Sequence, residues 1–264
     1  TGRADGARRL HPPAGHIEIR DLGFAYPAHP ELPVLRGFAL DIAPGERVAL
    51  VGPSGAGKST LLNVLATIDT PTSGEILVEG DDIAAMNEEA LADFRRDHLG
   101  FIFQDYNLLD SLTVRENMLL PLAVSKTPVH ETRAKVERLA KRFGLEGILE
   151  QYPYQISGGQ KQRTAVCRAL ISDPKLIFAD EPTGALDSKS ATDLLDTLSR
   201  LYEAETTIML VTHDAFAASF CRRVLYIQDG QLKKELIRGN ASRDAFYQSI
   251  LEELAKGGAV DDAI

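Results

Sequence analysis

A glycine-rich segment has the residue types and spacing that bind phosphate. The segment Gly52 to Ser59 reads GPSGAGKS, which fits the pattern G-x-x-x-x-G-K-[ST]. Glycines let the backbone wrap an anion with several N–H groups, and the N-terminus of a following helix adds the positive end of its dipole. Lys58 is expected to reach the outer phosphates of a nucleotide, and the Ser59 hydroxyl to bind Mg²⁺. The candidate nucleotide-binding residues here are Gly52, Pro53, Ser54, Gly55, Ala56, Gly57, Lys58, Ser59 and Thr60.

Two adjacent carboxylates further along the chain can support hydrolysis of that nucleotide. Asp180 and Glu181 follow directly after the apolar run Leu176 to Ala179. One carboxylate can hold Mg²⁺ or its water, and its neighbour points elsewhere because side chains alternate along a strand. Glu181 can then polarise the water that attacks the terminal phosphate. A helix cap or a surface acid pair is the alternative, but a phosphate-binding loop in the same chain favours hydrolysis over binding alone.

A second glycine-rich stretch, Ile156 to Arg163, reads ISGGQKQR and enters a segment with helical spacing. It is another candidate anion site, because a helix N-terminus presents N–H groups and a positive dipole end. A plain helix cap is the alternative, since a Gly-Gly pair alone is weak evidence. Two anion sites in one chain raise the question whether both hold the same nucleotide.

Three short apolar runs predict the strands that position these side chains. They are Val48 to Val51, Leu176 to Ala179 and Thr207 to Val211. Their length and β-branched content are typical of strands buried on both faces of a parallel sheet. Each run is followed at once by polar residues, with Thr212 to Asp214 after the third. Ligands of open α/β sheets bind at the carboxyl ends of strands, so these ends are expected to share one site.

The remaining segments are expected to surround that sheet. Helices are predicted at Lys58 to Ala66 and from a cap at Ser188. The stretch Ile17 to Glu46 alternates and turns like antiparallel strands, with a further strand at Gly74 to Gly80. From about Asn87 to Ser172 the pattern is mostly helical, which predicts a helical insertion in an α/β core.

Composition and charge narrow the function classes. The chain has 264 residues, of which 44% are hydrophobic and 25% charged, as in ordinary globular proteins. The formal net charge of −9 argues against a general nucleic-acid binder, because phosphate backbones require a basic surface. No apolar run approaches the roughly 18 residues that span a bilayer, and the N-terminal residues lack the apolar core of a secretory signal. Cys167 and Cys221 are therefore expected to be reduced thiols in a soluble intracellular protein.

The order of the motifs resembles the nucleotide-binding subunit of an ABC transporter. GPSGAGKS is followed by FIFQD, ISGGQ, LIFADEPTGALD and VTHD, and the similarity covers roughly Ile17 to Lys234. The resemblance implies an α/β fold: a P-loop NTPase ABC ATPase core of parallel sheet flanked by helices, an N-terminal antiparallel β subdomain and a helical subdomain. It also implies a head-to-tail homodimer that holds two ATP molecules with Mg²⁺. Each ATP would lie between the phosphate loop of one subunit and the ISGGQ segment of the other, so the second anion site would serve the partner's nucleotide.

The resemblance also implies roles for individual residues. Tyr26 resembles the aromatic residue that stacks on adenine, and Gln104 resembles the glutamine that senses Mg²⁺ and the attacking water. Asp187 is similar to a dimer-interface aspartate, and His213 to the switch histidine that contacts the γ-phosphate. The signature residues expected to face the opposite γ-phosphate are Ser157, Gly158, Gly159 and Gln160. The implied catalytic set is Glu181, His213, Gln104 and Lys58, and the implied metal set is Ser59, Gln104 and Asp180.

Longer stretches resemble particular members of that family. FRRDHLGFIFQDYNLLDSLTV and DEPTGALDSKSA are similar to bacitracin-type peptide-antibiotic resistance ATPases, within a group that includes lipoprotein-release and macrolide-export ATPases. The resemblance implies an ATPase at the cytoplasmic face of the cell membrane that drives a separate membrane permease. It also implies a sensor kinase as a partner through that permease. The implied role is antimicrobial-peptide resistance or sensing. A lipoprotein-release, macrolide-export or cell-division complex is the alternative. A soluble ATPase of DNA repair or translation fits less well, because the chain lacks a long coiled coil or a second core and is acidic.

The sequence pattern also predicts domain boundaries. A flexible tail at 1–15 precedes an ABC ATPase domain at 16–240, whose helical subdomain spans about 87–172. A C-terminal helix is predicted at 241–256, and a second flexible tail at 257–264. An apolar stripe on that helix is expected to pack against the chain's own core, and consists of Phe246, Ile250, Leu251 and Leu254.

Overall fold

The computed structural model describes residues 15–123, 128–201 and 206–261. The predicted N-terminal tail up to residue 14 and the final residues 262–264 lie outside this part of the chain. The strands are β1 (Ile17–Ala25), β2 (Pro33–Ile42), β3 (Arg47–Val51), β4 (Ser73–Val78), β5 (Asp81–Asp82), β6 (Leu99–Ile102), β7 (Leu176–Asp180), β8 (Thr207–Val211), β9 (Arg223–Gln228) and β10 (Gln231–Ile237). The helices are α1 (Lys58–Leu65), α2 (Glu88–His98), α3 (Val114–Ala123), α4 (Val129–Phe143), α5 (Gly158–Leu170), α6 (Ser188–Leu201), α7 (Ala215–Ala218) and α8 (Arg243–Asp261).

The strands form two sheets, which confirm the predicted α/β architecture. An antiparallel sheet has the order β2-β1-β4-β5, and a larger sheet has the order β10-β9-β3-β8-β7-β6. In the larger sheet every neighbouring pair is parallel except β10 with β9. The three predicted central strands are adjacent here as β3, β8 and β7. The residues that follow them, Gly52, Thr212 and Glu181, therefore lie at one edge of the sheet.

The central strands are buried on both faces, which explains their nearly continuous apolar sequences. In β3, Val48 and Leu50 pack into a hydrophobic cluster that includes α1 and the antiparallel sheet. Ala49 and Val51 join a second cluster formed with α3, α4, α5, α6 and α8. Side chains alternate along a strand, so each face of β3 packs against its own apolar cluster. This packing holds in place the edge of the sheet at which the polar residues lie.

The central helical block contains a strand that the sequence pattern did not predict. Strand β6 lies between α2 and the segment that carries Gln104, and it pairs in parallel with β7. The mostly helical prediction for Asn87 to Ser172 is therefore corrected: α3, α4 and α5 pack on one another, but β6 belongs to the main sheet. Gly100 allows α5 to approach this strand, since a Cβ there would lie 2.5 Å from the Ala169 carbonyl oxygen. The four residues of β6 follow α2 directly, with no residue between the two elements. The sequence therefore gives no signal of the change from helix to strand.

Helix α6 begins differently from the prediction. Ser188 is its first residue, and the capping side chain is that of Asp187. The Asp187 carboxylate accepts the backbone N–H groups of Lys189 and Ser190 at 3.1 and 3.0 Å, and the Ser190 hydroxyl donates to it at 2.7 Å. These bonds, led by the one from the Ser190 hydroxyl, hold the pKa of Asp187 below its ordinary value. Aspartate and serine are comparable N-caps. Asp187 immediately precedes the first turn of α6, so its side chain caps the helix.

The described structure extends into both predicted tails. Gly15 is buried, and its backbone N–H donates to Glu79 Oε1 at 2.9 Å. Helix α8 continues to Asp261, so residues 257–261 are helical and the predicted helix end at 256 is corrected. Leu251 of the predicted stripe does not pack fully, because it is 37% exposed.

Candidate active site

The polar residues at the ends of β3, β7 and β8 line one cleft. The cleft encloses about 1050 Å³, open solvent included. Its walls come from the glycine-rich loop, the carboxylates after β7, the histidine after β8 and residues of β2, of the segment after β1 and of the segment after β6. They are Tyr26, Val34, Gly52, Ser54, Gly55, Ala56, Gly57, Lys58, Ser59, Thr60, Gln104, Asp180, Glu181, Val211 and His213.

Two glycines set the shape of the loop. Gly52 has a φ of +147°, and a Cβ there would lie 2.0 Å from the carbonyl oxygen of Ile227 on β9. Gly57, with a φ of +94°, directly precedes α1. Glycine adopts these backbone conformations without the steric cost that other residues incur. The loop therefore runs close to β9 and directs the first N–H groups of α1 into the cleft, where they can bind an anion.

Lys58 lies against the loop that it is expected to serve. Its ammonium group donates to the carbonyl oxygens of Gly52 and Pro53 at 2.8 and 2.7 Å. Burial lowers the pKa of Lys58, whereas the charges of Glu181 and Asp180 raise it. A half-buried cation whose hydrogen bonds go to neutral carbonyls is well suited to receive a phosphate oxygen, because charge-assisted hydrogen bonds are the stronger ones.

Ser59 and Asp180 meet across the cleft. The Ser59 hydroxyl donates to Asp180 Oδ1 at 3.4 Å. Burial raises the pKa of Asp180 and the charge of Glu181 adds to the rise, while the Ser59 hydrogen bond and the Lys58 charge lower it. Gln104 lines the same cleft. A hydroxyl, a carboxylate and an amide oxygen are hard ligands of the kind that Mg²⁺ takes beside phosphates, so the side chains present fit this ion.

Glu181 and His213 are joined directly. Glu181 Oε1 accepts the His213 backbone N–H at 2.8 Å and lies 2.8 Å from His213 Nδ1, and Oε2 accepts the Thr212 hydroxyl at 3.1 Å. The Glu181 side chain is 13% exposed, whereas that of His213 is 77% exposed. Glu181 also has a φ of +44°, a strained conformation for a residue other than glycine. The carboxylate is thus held in one orientation at the cleft wall, while the imidazole extends into the cleft.

Tyr26 presents an aromatic ring at the rim of the cleft. The residue is 43% exposed, and its hydroxyl lies 3.1 Å from Thr60 Oγ1. Phe24 meets the ring edge-on, with centroids 5.0 Å apart and planes at 87°. An oriented, exposed ring beside a phosphate loop can stack on a base.

The second glycine-rich stretch lies outside this cleft. Ser157 caps α5: its Oγ accepts the Gln160 N–H at 3.3 Å, and Gln160 Oε1 accepts the Ser157 N–H at 2.8 Å. Gly158 and Gly159 begin the first turn of the helix, and none of these four residues lines the cleft. Ser157 and Gly158 are exposed. Ser157 can therefore cap α5 while the start of this helix also serves as an anion site. Within one chain, the two candidate anion sites do not lie in the same cleft.

Two residues to which the sequence pattern assigns no individual role, Arg168 and Thr212, contact predicted site residues or their neighbours. Arg168, in the last turn of α5, donates at 2.7 Å to the backbone carbonyl of Tyr106, two residues after Gln104. Thr212 is fully buried and binds Glu181 through its hydroxyl. Both contacts are tertiary. An arginine near a helix end and a threonine after a strand are common, so spacing alone gives no signal for either.

The cleft and the sheet edge define the class of protein. A phosphate loop between β3 and α1, with carboxylates at the end of a neighbouring parallel strand, is typical of P-loop nucleoside triphosphatases. The family model described as ABC transporter matches residues 35–184, more than half of the chain. The chain belongs to the ABC transporter family as an ATP-binding subunit, and its activity is that of an ATPase. Among the described residues, no helix combines the length and the apolar character that a membrane crossing needs.

Relatives and solved structures agree with this assignment. The chain is 53% identical to the uncharacterised ABC transporter ATP-binding protein YvcR of Bacillus subtilis (strain 168), over 84% of this chain and 85% of that protein. It is 50% identical to the bacitracin export ATP-binding protein BceA of Halalkalibacterium halodurans, over 87% and 91%. The dimeric structure of MJ0796, a bacterial ABC transporter cassette, matches with a TM-score of 0.78 and 37% identity, covering 84% of this chain and 98% of that one. A post-hydrolysis state of MJ0796 bound to ADP and Pi matches with the same TM-score and 36% identity.

Proposed function

We propose that two copies of this chain close head to tail around two ATP molecules, and that each copy completes the other's site. The observation that carries this proposal is that Ser157 and Gly158 are exposed at the start of α5, outside the cleft that contains Lys58 and Glu181. An exposed helix N-terminus that lies outside the cleft of its own chain suits the γ-phosphate of a nucleotide held by a second copy. The dimeric form of the related MJ0796 cassette supports this arrangement.

Within each site the chain's own groups divide the work. The loop N–H groups and Lys58 hold the β- and γ-phosphates, and the ring of Tyr26 stacks on adenine. Ser59, Asp180 and Gln104 hold Mg²⁺, which when bound neutralises charge on the phosphate oxygens. Glu181 accepts a proton from the water that attacks the γ-phosphate. His213, held by Glu181 at Nδ1, presents its other ring nitrogen to the γ-phosphate.

Replacing Glu181 tests the assignment of the base. Glu181→Gln keeps the size of the side chain but removes the proton acceptor, so we expect ATP binding within about threefold of the parent and turnover lowered on the order of a hundredfold or more. Glu89→Gln, on the exposed side of α2, is the matched control and should leave both quantities unchanged. Steady-state phosphate release and equilibrium binding of ATP measure them. Turnover by Glu181→Gln at the parent rate would assign the base to another group.

We further propose that the dimer works at the cytoplasmic face of the cell membrane and drives a separate permease in antimicrobial-peptide resistance or sensing, with a sensor kinase acting through the permease. The support is the identity of 50% with a bacitracin export ATP-binding protein over most of both chains. Affinity purification of the tagged chain from mildly solubilised membranes tests the partner. A co-purified polytopic permease with a large extracytoplasmic domain is expected. A permease with four spans would favour a lipoprotein-release, macrolide-export or cell-division complex instead.

A further inference from the structure

The hydroxyl of Thr212 is a buried link between Glu181 and the segment that carries His213. Thr212 is 0% exposed. Its Oγ1 donates to Glu181 Oε2 at 3.1 Å and accepts the backbone N–H of Asp214 at 3.0 Å. The Thr212 backbone N–H donates to the carbonyl oxygen of Leu50 on β3 at 3.1 Å. Both the backbone and the side chain of Thr212 are thus fixed.

These contacts fix the direction of the Thr212 proton. A hydroxyl has one proton to donate, and it rotates to suit its surroundings. Because the Asp214 N–H occupies an acceptor position of Oγ1, the proton is directed to the Glu181 carboxylate. Oε1 is meanwhile engaged by the backbone and the ring of His213. The two carboxylate oxygens are therefore held from two sides, by Thr212 and by His213.

The same hydroxyl connects Glu181 to α7. Asp214 caps this short helix, its Oδ1 accepting the Phe216 N–H at 2.8 Å. The charged groups near the carboxylate are Asp180 and Lys58, which line the same cleft, and the imidazole of His213 when it is protonated. Among the described residues, Thr212 is the one whose hydroxyl donates to the Glu181 carboxylate.

We propose that Thr212 is a positioning residue for hydrolysis. Its hydroxyl orients the Glu181 carboxylate toward the attacking water and holds this carboxylate in a fixed position relative to the segment that carries His213. This inference rests on the proposed role of Glu181 as the base. Thr212 is buried and does not line the cleft, so removing its hydroxyl is expected to lower the rate of turnover and to leave the binding of ATP intact. If Thr212 had a purely structural role, its replacement would lower the stability of the chain and would not reduce turnover while leaving ATP binding unchanged.

The test compares Thr212→Val, which keeps the shape and removes the hydroxyl, with Thr212→Ser, which keeps the hydroxyl. Thr207 offers a matched control, because it lies at the other end of β8 and is 1% exposed. Its hydroxyl also joins two groups, but both belong to the backbone: it donates to the Gly15 carbonyl at 2.7 Å and accepts the Gly45 N–H at 2.9 Å. We expect Thr212→Val to lower kcat on the order of tenfold or more, as befits a hydrogen bond to a charged group. KM for ATP should change less than about twofold.

The controls separate catalysis from stability. Thr212→Ser should restore kcat to within about threefold of the parent, and Thr207→Val should lower Tm but leave kcat within about twofold. If Thr212→Val does not fold, Thr212→Ala against Thr212→Ser gives the same comparison. A parental kcat in the variants without the hydroxyl, or equal losses in the serine and valine variants, would overturn the inference. Glu181→Gln in the same series distinguishes the two claims: if it hydrolyses ATP normally, the proposed base is wrong, and if it is inactive while Thr212→Val is normal, only the role of Thr212 fails.

Discussion

Arg168 on α5 donates a hydrogen bond of 2.7 Å to the backbone carbonyl of Tyr106. Its guanidinium also donates to the carbonyl of Asn107. Tyr106 and Asn107 have φ values of +60° and +48°, which are uncommon for residues other than glycine. The Tyr106 hydroxyl lies 3.3 Å from the position of a Cβ on Gly158. The segment that follows Gln104 is therefore bonded to the last turn of α5 through Arg168, and it lies beside Gly158 at the start of the same helix.

Replacing Arg168 should disturb Gln104 without touching the phosphate loop. Lysine keeps the charge, but its single ammonium cannot reproduce a guanidinium fork that reaches two carbonyls. We expect Arg168→Lys to lower kcat about fivefold and to leave the affinity of one subunit for ATP unchanged. Phosphate release and fluorescent-nucleotide binding measure the two quantities. Arg138→Lys, at an exposed position on α4, is the control, and an unaltered kcat in Arg168→Lys would show that the link is not used.

Gly52 and Gly55, two of the three glycines of the loop, should differ in their tolerance of alanine. At Gly55, with a φ of +78° and no atom within 4 Å of the added Cβ, the left-handed conformation alone costs about 1 kcal/mol. At Gly52 the Cβ would also lie 2.0 Å from the Ile227 carbonyl oxygen, so the cost should exceed about 3 kcal/mol. Urea denaturation measures both. Equal losses in the two variants would mean that the loop does not pass close to β9.

Tyr26 should contribute to nucleotide affinity through its ring rather than its hydroxyl. Stacking of a base on an aromatic side chain contributes about 1–3 kcal/mol, so Tyr26→Ala should weaken ATP binding about tenfold or more. Tyr26→Phe, which loses only the contact with Thr60, should stay within about twofold. Tyr154→Ala is a suitable control, because Tyr154 is 69% exposed but does not line the cleft. Calorimetric titration with ATP measures these affinities. If Tyr26→Ala binds ATP as tightly as the parent, Tyr26 is not part of the nucleotide site.

The cap of α6 should give a pH-dependent stability. The Ser190 hydroxyl and backbone bonds lower the pKa of Asp187 in the folded chain. A group with a lowered folded pKa stabilises the fold above its unfolded pKa and loses this effect as pH falls through the folded value. Asp187→Ala should therefore have a lower Tm than the parent at pH 7, and the difference should shrink as pH falls below the ordinary value of 3.8. Thermal unfolding without nucleotide measures it; a difference that is constant with pH would contradict the assigned cap.

Much of this arrangement is predictable from the sequence because the signals are local. A few adjacent residues are enough to predict each apolar run, and these runs form β3, β7 and β8. The same holds for the turn residues of Gly52 to Ser59. The two cysteines, Cys167 and Cys221, are both buried. Burial raises the pKa of the Cys221 thiol to about 12.

The parts that sequence patterns missed depend on contacts between distant segments. Strand β6 is four residues long and is defined by its partner β7 rather than by its own pattern. Thr212 and Glu181 are 31 positions apart, and Arg168 meets Tyr106 across 62 positions. Asp187 and Ser188 are both good caps, so only the geometry of the turn decides between them. Periodicity carries no information about such pairings.

The molar mass of Glu181→Gln in the presence of ATP and Mg²⁺ shows whether a second copy of the chain completes each nucleotide site. Light scattering after size exclusion should give twice the chain mass of 28.8 kDa, with one ATP bound per chain. Adding Ser157→Arg should return the mass to that of one chain while the bound ATP remains. Adding Ser249→Arg, at an exposed position on α8, should leave the dimer intact. If Glu181→Gln binds ATP but keeps the mass of a monomer, or if the dimer persists with Ser157→Arg, a second copy does not complete the site.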